Sequence, residues 1–338
     1  MEYLIMESLS NRMKFSKSEE EQYFAIKKGY EGEVLFDSYY ENCPENWLIL
    51  NDLWLKSNNS IFQIDSLLIT STAHYIFEVK NLTYEYLLKN NRFYRNGNEL
   101  KHNPLTQLER CDSLYRHLLK QLGYNVPVIS NLAFVNPDFT LFGTTEDHPI
   151  LLPTQIKLFF EKLKRKEWNA SGSTPSTRKT TARGIVTTLV PDIGSGSGAE
   201  QMKPTQTQIK LAKHLLSILI DKPPLSNIPS YDFETLEKGL LCLNCRTFLA
   251  GPSKYKEHIV CHHCGHVENT RKCILNAIKE YQLLFPNEKL KTDRIFKWCK
   301  VIICQRKIRR VLLEHYFKEG NTNTSFYSDF LKVANQRI

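Results

Sequence analysis

Cys242, Cys245, Cys261 and Cys264 form two Cys-x-x-Cys pairs with 15 residues between them. Each pair spans a tight turn, so both sulfurs can face one ion, and two such turns close a tetrahedral four-thiolate shell. A closed shell leaves no position for substrate, so the zinc expected here is structural. His262, His263 and His266 lie close enough in sequence to compete as ligands. They are read instead as polar filling, with Gly265 supplying the turn after the last cysteine. The chain has nine cysteines and no export signal, which points to a reducing compartment and against disulfides.

Chemistry must then come from the front half. There Glu33, Asp65 and the run Glu78-Val79-Lys80 stand out. On a strand, side chains alternate, so Glu78 and Lys80 project to one side. If Ile61 to Thr70 pairs antiparallel with His74 to Val79, Asp65 lies one strand over, and the register decides whether it meets Glu78. Two carboxylates and a lysine on one face suit metal-assisted phosphodiester cleavage, with oxygen ligands for Mg²⁺ and an amine to orient or deprotonate water. The same Glu-x-Lys pattern also fits an ordinary solvated strand face. Tyr75, Ile76, Phe77 and Val79 favour a buried strand, where charges need partners.

The elements that must position these groups alternate between helix and strand patterns. Glu20 to Tyr40 reads as a helix interrupted by Gly29 and Gly32. Trp47 to Asn51 and Val128 to Val135 read as apolar strands, and Leu87 to Leu100 as a hairpin turning at Asn96-Gly97. Pro104 to Leu122 has helical spacing of leucines, with Pro104 at the first position and Gln107 in the first turn. Among other candidates, His74 and His102 lack spaced partners and are read as surface or strand-end residues. Cys111 is read as a small core residue. No nucleophile elbow or phosphate-binding glycine loop is present.

Gly29-Tyr30-Glu31-Gly32-Glu33, Gln63-Ile64-Asp65, Phe77-Glu78-Val79-Lys80-Asn81 and Asn103-Pro104 with Gln107 together resemble the nuclease-related domain, NERD. That family is placed in the PD-(D/E)xK nuclease-like superfamily, and the resemblance covers roughly residues 28 to 140. It implies an α/β fold: a restriction-endonuclease-like mixed sheet flanked by helices. It also implies Glu33 on the first helix, Asp65 and Glu78 as ligands of Mg²⁺ or Mn²⁺, Lys80 as the catalytic lysine and Gln107 as an accessory polar residue. Ile64 stands where the superfamily has its namesake proline. Asn81-Leu82-Thr83-Tyr84 replaces a glycine-rich stretch that often follows the Glu-x-Lys strand.

The back half carries the charge. Between Arg271 and Lys318 there are 13 Lys or Arg against 4 Asp or Glu, an excess equal to the whole net charge of +9. Such a basic helical region is the footprint of a polyanion binder or, more plainly, a solvated helix face. A short helix, a turn and a basic helix over Arg306 to Tyr316 outline a helix-turn-helix, with Gly320 to Tyr327 as a hairpin wing. Arg306, Lys307, Arg309 and Arg310 are the expected phosphate contacts.

The chain thus divides into an N-terminal extension (1–27), a nuclease-like domain (28–166), a Ser/Thr/Gly-rich flexible linker or insertion (167–206), a connecting helix (207–238), a zinc ribbon (239–268) and a basic helical module (269–338). The start does not read as a signal peptide, and no run nears the ~20 apolar residues that cross a bilayer, so a soluble, cytoplasmic protein is expected. The leading expectation is a Mg²⁺-dependent nuclease acting on nucleic acid, DNA in preference. The alternatives are a non-catalytic nucleic-acid adaptor or a scaffold whose ribbon docks a protein partner.

Overall fold

A computed structural model describes residues 1–171, 203–220, 228–250, 257–300, 302–320 and 325–328. The glycine- and serine-rich stretch around 194–198 lies outside the described residues. The chain forms two compact units: Ala25–Pro224, and a second made of Met1–Phe24 with Leu225–Ile338. No helix among the described residues is long and apolar enough to cross a membrane.

The Ala25–Pro224 unit is built on a five-stranded mixed sheet, ordered β1 (Leu48–Ser57), β2 (Ser60–Ile69), β3 (His74–Lys80), β7 (Val128–Phe134) and β9 (Ile150–Leu151). β2 is antiparallel to both β1 and β3, while β3, β7 and β9 run parallel. A smaller four-stranded sheet joins β4 (Tyr84–Lys89), β5 (Arg92–Arg95), β6 (Asn98–Glu99) and β8 (Phe139–Phe142). The one hairpin expected over Leu87 to Leu100 is therefore two. Asn90-Asn91 adopts positive φ (51° and 59°), as Asn96-Gly97 does (49° and 77°), and both suit primed two-residue turns.

Helices cover both faces of the larger sheet. α3 (Pro104–Gln121) packs Leu108, Tyr115 and Leu118 with Ile76, Leu132 and Phe134 on one side. On the other, Phe36 of α2 (Lys17–Asp37) and Ile156 and Phe160 of α4 (Pro153–Ser171) meet Tyr75, Phe77 and Val79. α3 starts where Asn103 accepts the Leu105 N–H at 3.1 Å, with Pro104 in the first turn. It stops at Gly123, whose φ of +79° takes the left-handed turn.

Three expectations change here. α2 is continuous through Gly29 and Gly32, because the buried Gly32 serves close packing: a Cβ there would lie 2.5 Å from Cβ of Asn81. The supposed linker begins too early, since α4 runs to Ser171. Its Glu167 is buried and accepts hydrogen bonds from Thr70, Ser71 and Thr72, tying the β2–β3 turn to the helix. The supposed connecting helix, α5 (Gln206–Ser217), is part of this unit's core. Thr205 and Gln208 cap it reciprocally, while Leu211 and Leu215 are buried with β1 residues.

In the second unit the N-terminal residues are not an extension. α1 (Glu2–Ser10) leads to Arg12, which is buried and forms an ion pair with Glu280 of α6 (Thr270–Leu284) at 2.6 Å. Two short antiparallel strands, β10 (His258–Val260) and β11 (Val267–Asn269), precede α6. α7 (Thr292–Trp298), α8 (Gln305–His315) and the hairpin of β12 (Phe317–Glu319) and β13 (Phe326–Ser328) follow.

Candidate active site and metal centre

The sheet itself brings Asp65 to Glu78. The β2–β3 ladder runs from Ile69↔His74 to Ser66↔Phe77, so one more step would pair Asp65 with Glu78. The ladder stops there, and the Asp65 carboxylate accepts the Val79 N–H at 2.9 Å in its place. Opposite, on β1, the pairing also skips Asp52, whose φ is +54°. Leu48, Leu50, Leu53 and Leu55 all reach the same core cluster, as do Phe62, Ile64, Leu67 and Ile69. The in-out alternation therefore slips by one residue on both strands at Asp52 and Asp65, and the irregularity frees Asp65 from the ladder.

Glu78 and Lys80 share a face of β3, as alternation requires, and their side chains form an ion pair of 2.7 Å. These side chains are 12% and 25% exposed, close to the surface yet largely withdrawn from water. Glu33 arrives from α2, which crosses the end of β3. Gly32 lies against Asn81, Asn81 donates to the Lys28 carbonyl at 2.7 Å, and Lys28 donates to Thr83 at 3.0 Å. Asn81 in turn accepts from Asn136 at 2.8 Å, locking the end of β3 to the loop after β7. Thr83 and Asn136 hold the end of β3 without having been singled out by the sequence pattern, which marked Asn81 only as the last residue of the Glu-x-Lys run. The one further hint was Asn81-Leu82-Thr83-Tyr84 in place of glycines.

The electrostatics report crowding. Burial, then the charges of Glu78 and Glu33, push the Asp65 carboxyl well above the usual carboxylate range. Burial pulls the Lys80 ammonium down, but Glu78, Asp65 and Glu33 outweigh it and the net shift is upward, so Lys80 is held protonated. Three carboxylates against one ammonium leave a formal excess of negative charge in a poorly hydrated place. Hard oxygen donors, incompletely neutralised, are the kind a divalent cation takes, yet among the described residues only the four cysteines gather closely enough to hold an ion.

Gln107 is not drawn in. It sits exposed in the first turn of α3, and no side-chain hydrogen bond joins it to the carboxylates. Cys111 is buried beneath the site and points its thiol at the Gln63 carbonyl, 3.3 Å away, with burial pushing the thiol up. His74 is buried at the start of β3 rather than on the surface. Its Nδ1 is 2.9 Å from the Tyr115 hydroxyl, and burial pushes it down to about 4. His102 is exposed before α3.

The cysteine centre assembles as its spacing requires. The sulfurs of Cys242, Cys245, Cys261 and Cys264 all lie within 4.8 Å of one another. Two of the separations, Cys242–Cys264 and Cys245–Cys261, are 3.7 and 3.6 Å. Metal–sulfur bonds of ~2.3 Å in a tetrahedron give edges of ~3.8 Å, so the cluster has the dimensions to hold zinc. Each Cys-x-x-Cys turn ends in a left-handed residue, Arg246 at φ 60° and Gly265 at φ 72°. None of His262, His263 and His266 joins the four-sulfur group, and His266 lies beside Glu268, 3.6 Å away. Cys242→Ser should release the bound zinc and lower the melting transition of the Met1–Phe24/Leu225–Ile338 unit, leaving that of Ala25–Pro224 in place. Metal analysis with calorimetry checks this; a full equivalent of zinc retained by the variant would contradict it.

No curated protein and no solved structure matches the chain. Residues 28–135, which contain Glu33, Asp65, Glu78, Lys80 and Gln107, match the family model described as the nuclease-related domain. This part of the chain is similar to the NERD domain.

Proposed function

We propose that the protein is a divalent-metal-dependent nuclease that hydrolyses phosphodiester bonds of nucleic acid, DNA in preference. The observation that supports the reading is the Glu78–Lys80 pair at 2.7 Å at the end of β3, with Asp65 one strand over accepting the Val79 N–H at 2.9 Å. Asp65 and Glu78 would hold the ion, with Glu33 adding negative charge beside them. Bound there, Mg²⁺ or Mn²⁺ supplies Lewis acidity toward the phosphate. Lys80, kept as an ammonium, donates a hydrogen bond to the attacking water or a phosphate oxygen; in this setting it orients and neutralises rather than accepting a proton. Gln107, exposed in the first turn of α3 and apart from the carboxylates, would serve only by meeting substrate from there. Arg306, Lys307, Arg309 and Arg310 supply phosphate contacts, and the cysteine module, holding a structural zinc, braces them or docks a protein partner.

The test is cleavage of single- and double-stranded DNA and RNA by the full chain, with and without added Mg²⁺ or Mn²⁺. Cleavage should require the ion and vanish in Asp65→Asn, whose amide oxygen can still accept the Val79 N–H. The same variant carries a stability signature. A carboxyl raised in the folded state holds its proton more tightly than in the unfolded chain, so its ionisation lowers stability as pH climbs above the ordinary aspartate range. Asp65→Asn should therefore melt at a higher temperature than the metal-free parent at neutral pH and lose the stabilisation given by Mg²⁺. Absence of cleavage with either ion, alongside tight nucleic-acid binding, would move the assignment to a non-catalytic adaptor.

A further inference from the structure

The helices of the second unit are completed by a strand position that periodicity hides. Leu290 forms an isolated antiparallel bridge with Tyr327, whose N–H donates to the Leu290 carbonyl at 2.9 Å. The order is then α6, the Leu290 strand position, α7, α8, β12 and β13. That is a helix-turn-helix whose C-terminal hairpin gains a third strand from the segment before α7, the layout of a winged helix. The turn between α7 and α8 passes through Lys300 at φ +57°. α8 buries Ile308, Val311 and Leu312 and turns its remaining face outward.

That outward face is cationic and unneutralised. Arg306, Arg309 and Arg310 are exposed and make no ion pair or hydrogen bond among the described residues. Arg12, Arg92, Arg116, Arg271 and Arg294 are each held by a carboxylate. The one acid of α8, Glu314, is occupied by Arg271 at 2.7 Å, so it does not offset its neighbours. Three guanidinium groups on a helix fixed at its back form a site for an external polyanion.

We propose that α8 is the recognition helix of a duplex-DNA-binding module and enters the major groove of B-form DNA, with the β12–β13 hairpin beside it. α8, eleven residues of α-helix, has a diameter with side chains of about 10–12 Å, which suits a groove about 12 Å wide. The A-form RNA major groove is too deep and narrow for side chains to read. Single strands are held chiefly by aromatic stacking, and α8 displays no exposed Phe, Tyr or Trp, its one exposed ring being His315 at the last position. The inference rests on the nuclease reading only in naming duplex DNA as its substrate.

The experiment uses the full, zinc-loaded chain carrying Lys80→Ala, without added Mg²⁺, so that binding is read apart from cutting. Anisotropy is measured on a labelled DNA duplex, the RNA duplex of the same sequence and single-stranded DNA across a salt series. The DNA duplex should bind at least about tenfold more tightly than the other two. Combining Arg306→Gln, Arg309→Gln and Arg310→Gln should weaken duplex binding more than about tenfold. It should also flatten the log–log salt slope by about 2 to 3, each lost phosphate contact being worth ~0.9. Lys210→Gln with Lys213→Gln, on exposed positions of α5, should change neither quantity. Unchanged zinc content in the triple variant shows that the module remains folded. Wild-type affinity in the triple variant, equal binding of RNA or single strands, or an equal loss in the α5 control would overturn the proposal. Binding as expected with no cleavage on restoring Lys80 and Mg²⁺ rejects the catalytic reading alone; metal-dependent cleavage with an unaffected triple variant rejects this one alone.

Discussion

Lys80→Ala should lower the rate of nucleic-acid cleavage by about 10²–10³-fold, the range expected when a preorganised donor to developing charge is removed. Affinity for the same substrate should stay nearly unchanged, because the exposed arginines of α8 are untouched. The reason lies in the 2.7 Å pair with Glu78. The ammonium is the one positive group amid Asp65, Glu78 and Glu33, and its shift upward shows that those carboxylates outweigh its burial. Removing it leaves the carboxylates to repel one another, so the metal-free variant should melt lower and gain more from added Mg²⁺ than the parent does. Under the proposed function Glu78→Gln should show the complementary pattern: cleavage lost and the Mg²⁺ response lost with it, because the variant would lack one proposed ligand. Lys80→Arg keeps a cation beside Glu78 but changes its reach and donor geometry, so it should restore thermal stability without restoring full rate. Single-turnover cleavage, anisotropy and melting with and without Mg²⁺ separate these outcomes. If Lys80→Ala cuts at the parental rate, the lysine is a structural counter-ion and the catalytic assignment falls.

Local signals in the chain carried the parts of this site that depend on local rules. Alternation placed Glu78 and Lys80 on one side of β3, and Asn103-Pro104 marked the start of α3 because a cap and a pre-set φ act within one turn. The four cysteines were legible for the same reason: two short turns suffice to shape each half of the shell. Asp65 was only half legible. Strict alternation gives no warning of the slip at Asp52 and Asp65, which depends on a left-handed Asp52 and a missing ladder step on the facing strand. Gly32 looked like a helix breaker because glycine is conformationally permissive, yet its role is contact with Asn81, a partner that sequence proximity could not supply. α5 illustrates the same limit. Its amphipathic pattern announced a buried face but not what it faces. Gln208 donates to the carbonyls of Asn46 and Ile69, 162 and 139 residues away. The Leu290 strand position was invisible because a single bridge has no periodicity to detect.

Arg12 is the extreme case, and its replacement should produce the largest loss of stability. Its partner Glu280 lies 268 residues along the chain, and nothing in Arg12-Met13-Lys14 distinguishes it from an exposed basic residue. In the folded chain its guanidinium is sealed from solvent. It donates to both Glu280 oxygens at 3.1 and 2.6 Å and to the carbonyls of Glu237 and Gly239 at 2.7 and 3.1 Å. Its carbon centre lies 3.9 Å from the Trp298 ring centroid. One side chain therefore joins the segment after α1, the approach to the cysteine module, α6 and α7. Removing Arg12 leaves Glu280 with only Arg246, 3.8 Å away and partly exposed, so the loss should fall near the lower end of the range of about 3–5 kcal/mol that breaking a buried pair costs. Arg12→Ala should therefore unfold the Met1–Phe24/Leu225–Ile338 unit at lower denaturant while Ala25–Pro224 keeps its own transition. Quenching and emission shift of Trp298 can follow the Met1–Phe24/Leu225–Ile338 unit, with the other tryptophans replaced by phenylalanine in both parent and variant. Arg12→Met combined with Glu280→Met separates a stranded charge from lost packing. The double variant should recover much of the loss, since a buried pair and a well-packed apolar pair are often close in stability. Recovery should stop short of complete, because the two carbonyls lose their donor. A denaturation midpoint unmoved by Arg12→Ala would show that the N-terminal segment contributes nothing to this unit. A double variant no better than the single would place the loss in the carbonyl and ring contacts instead of in the pair.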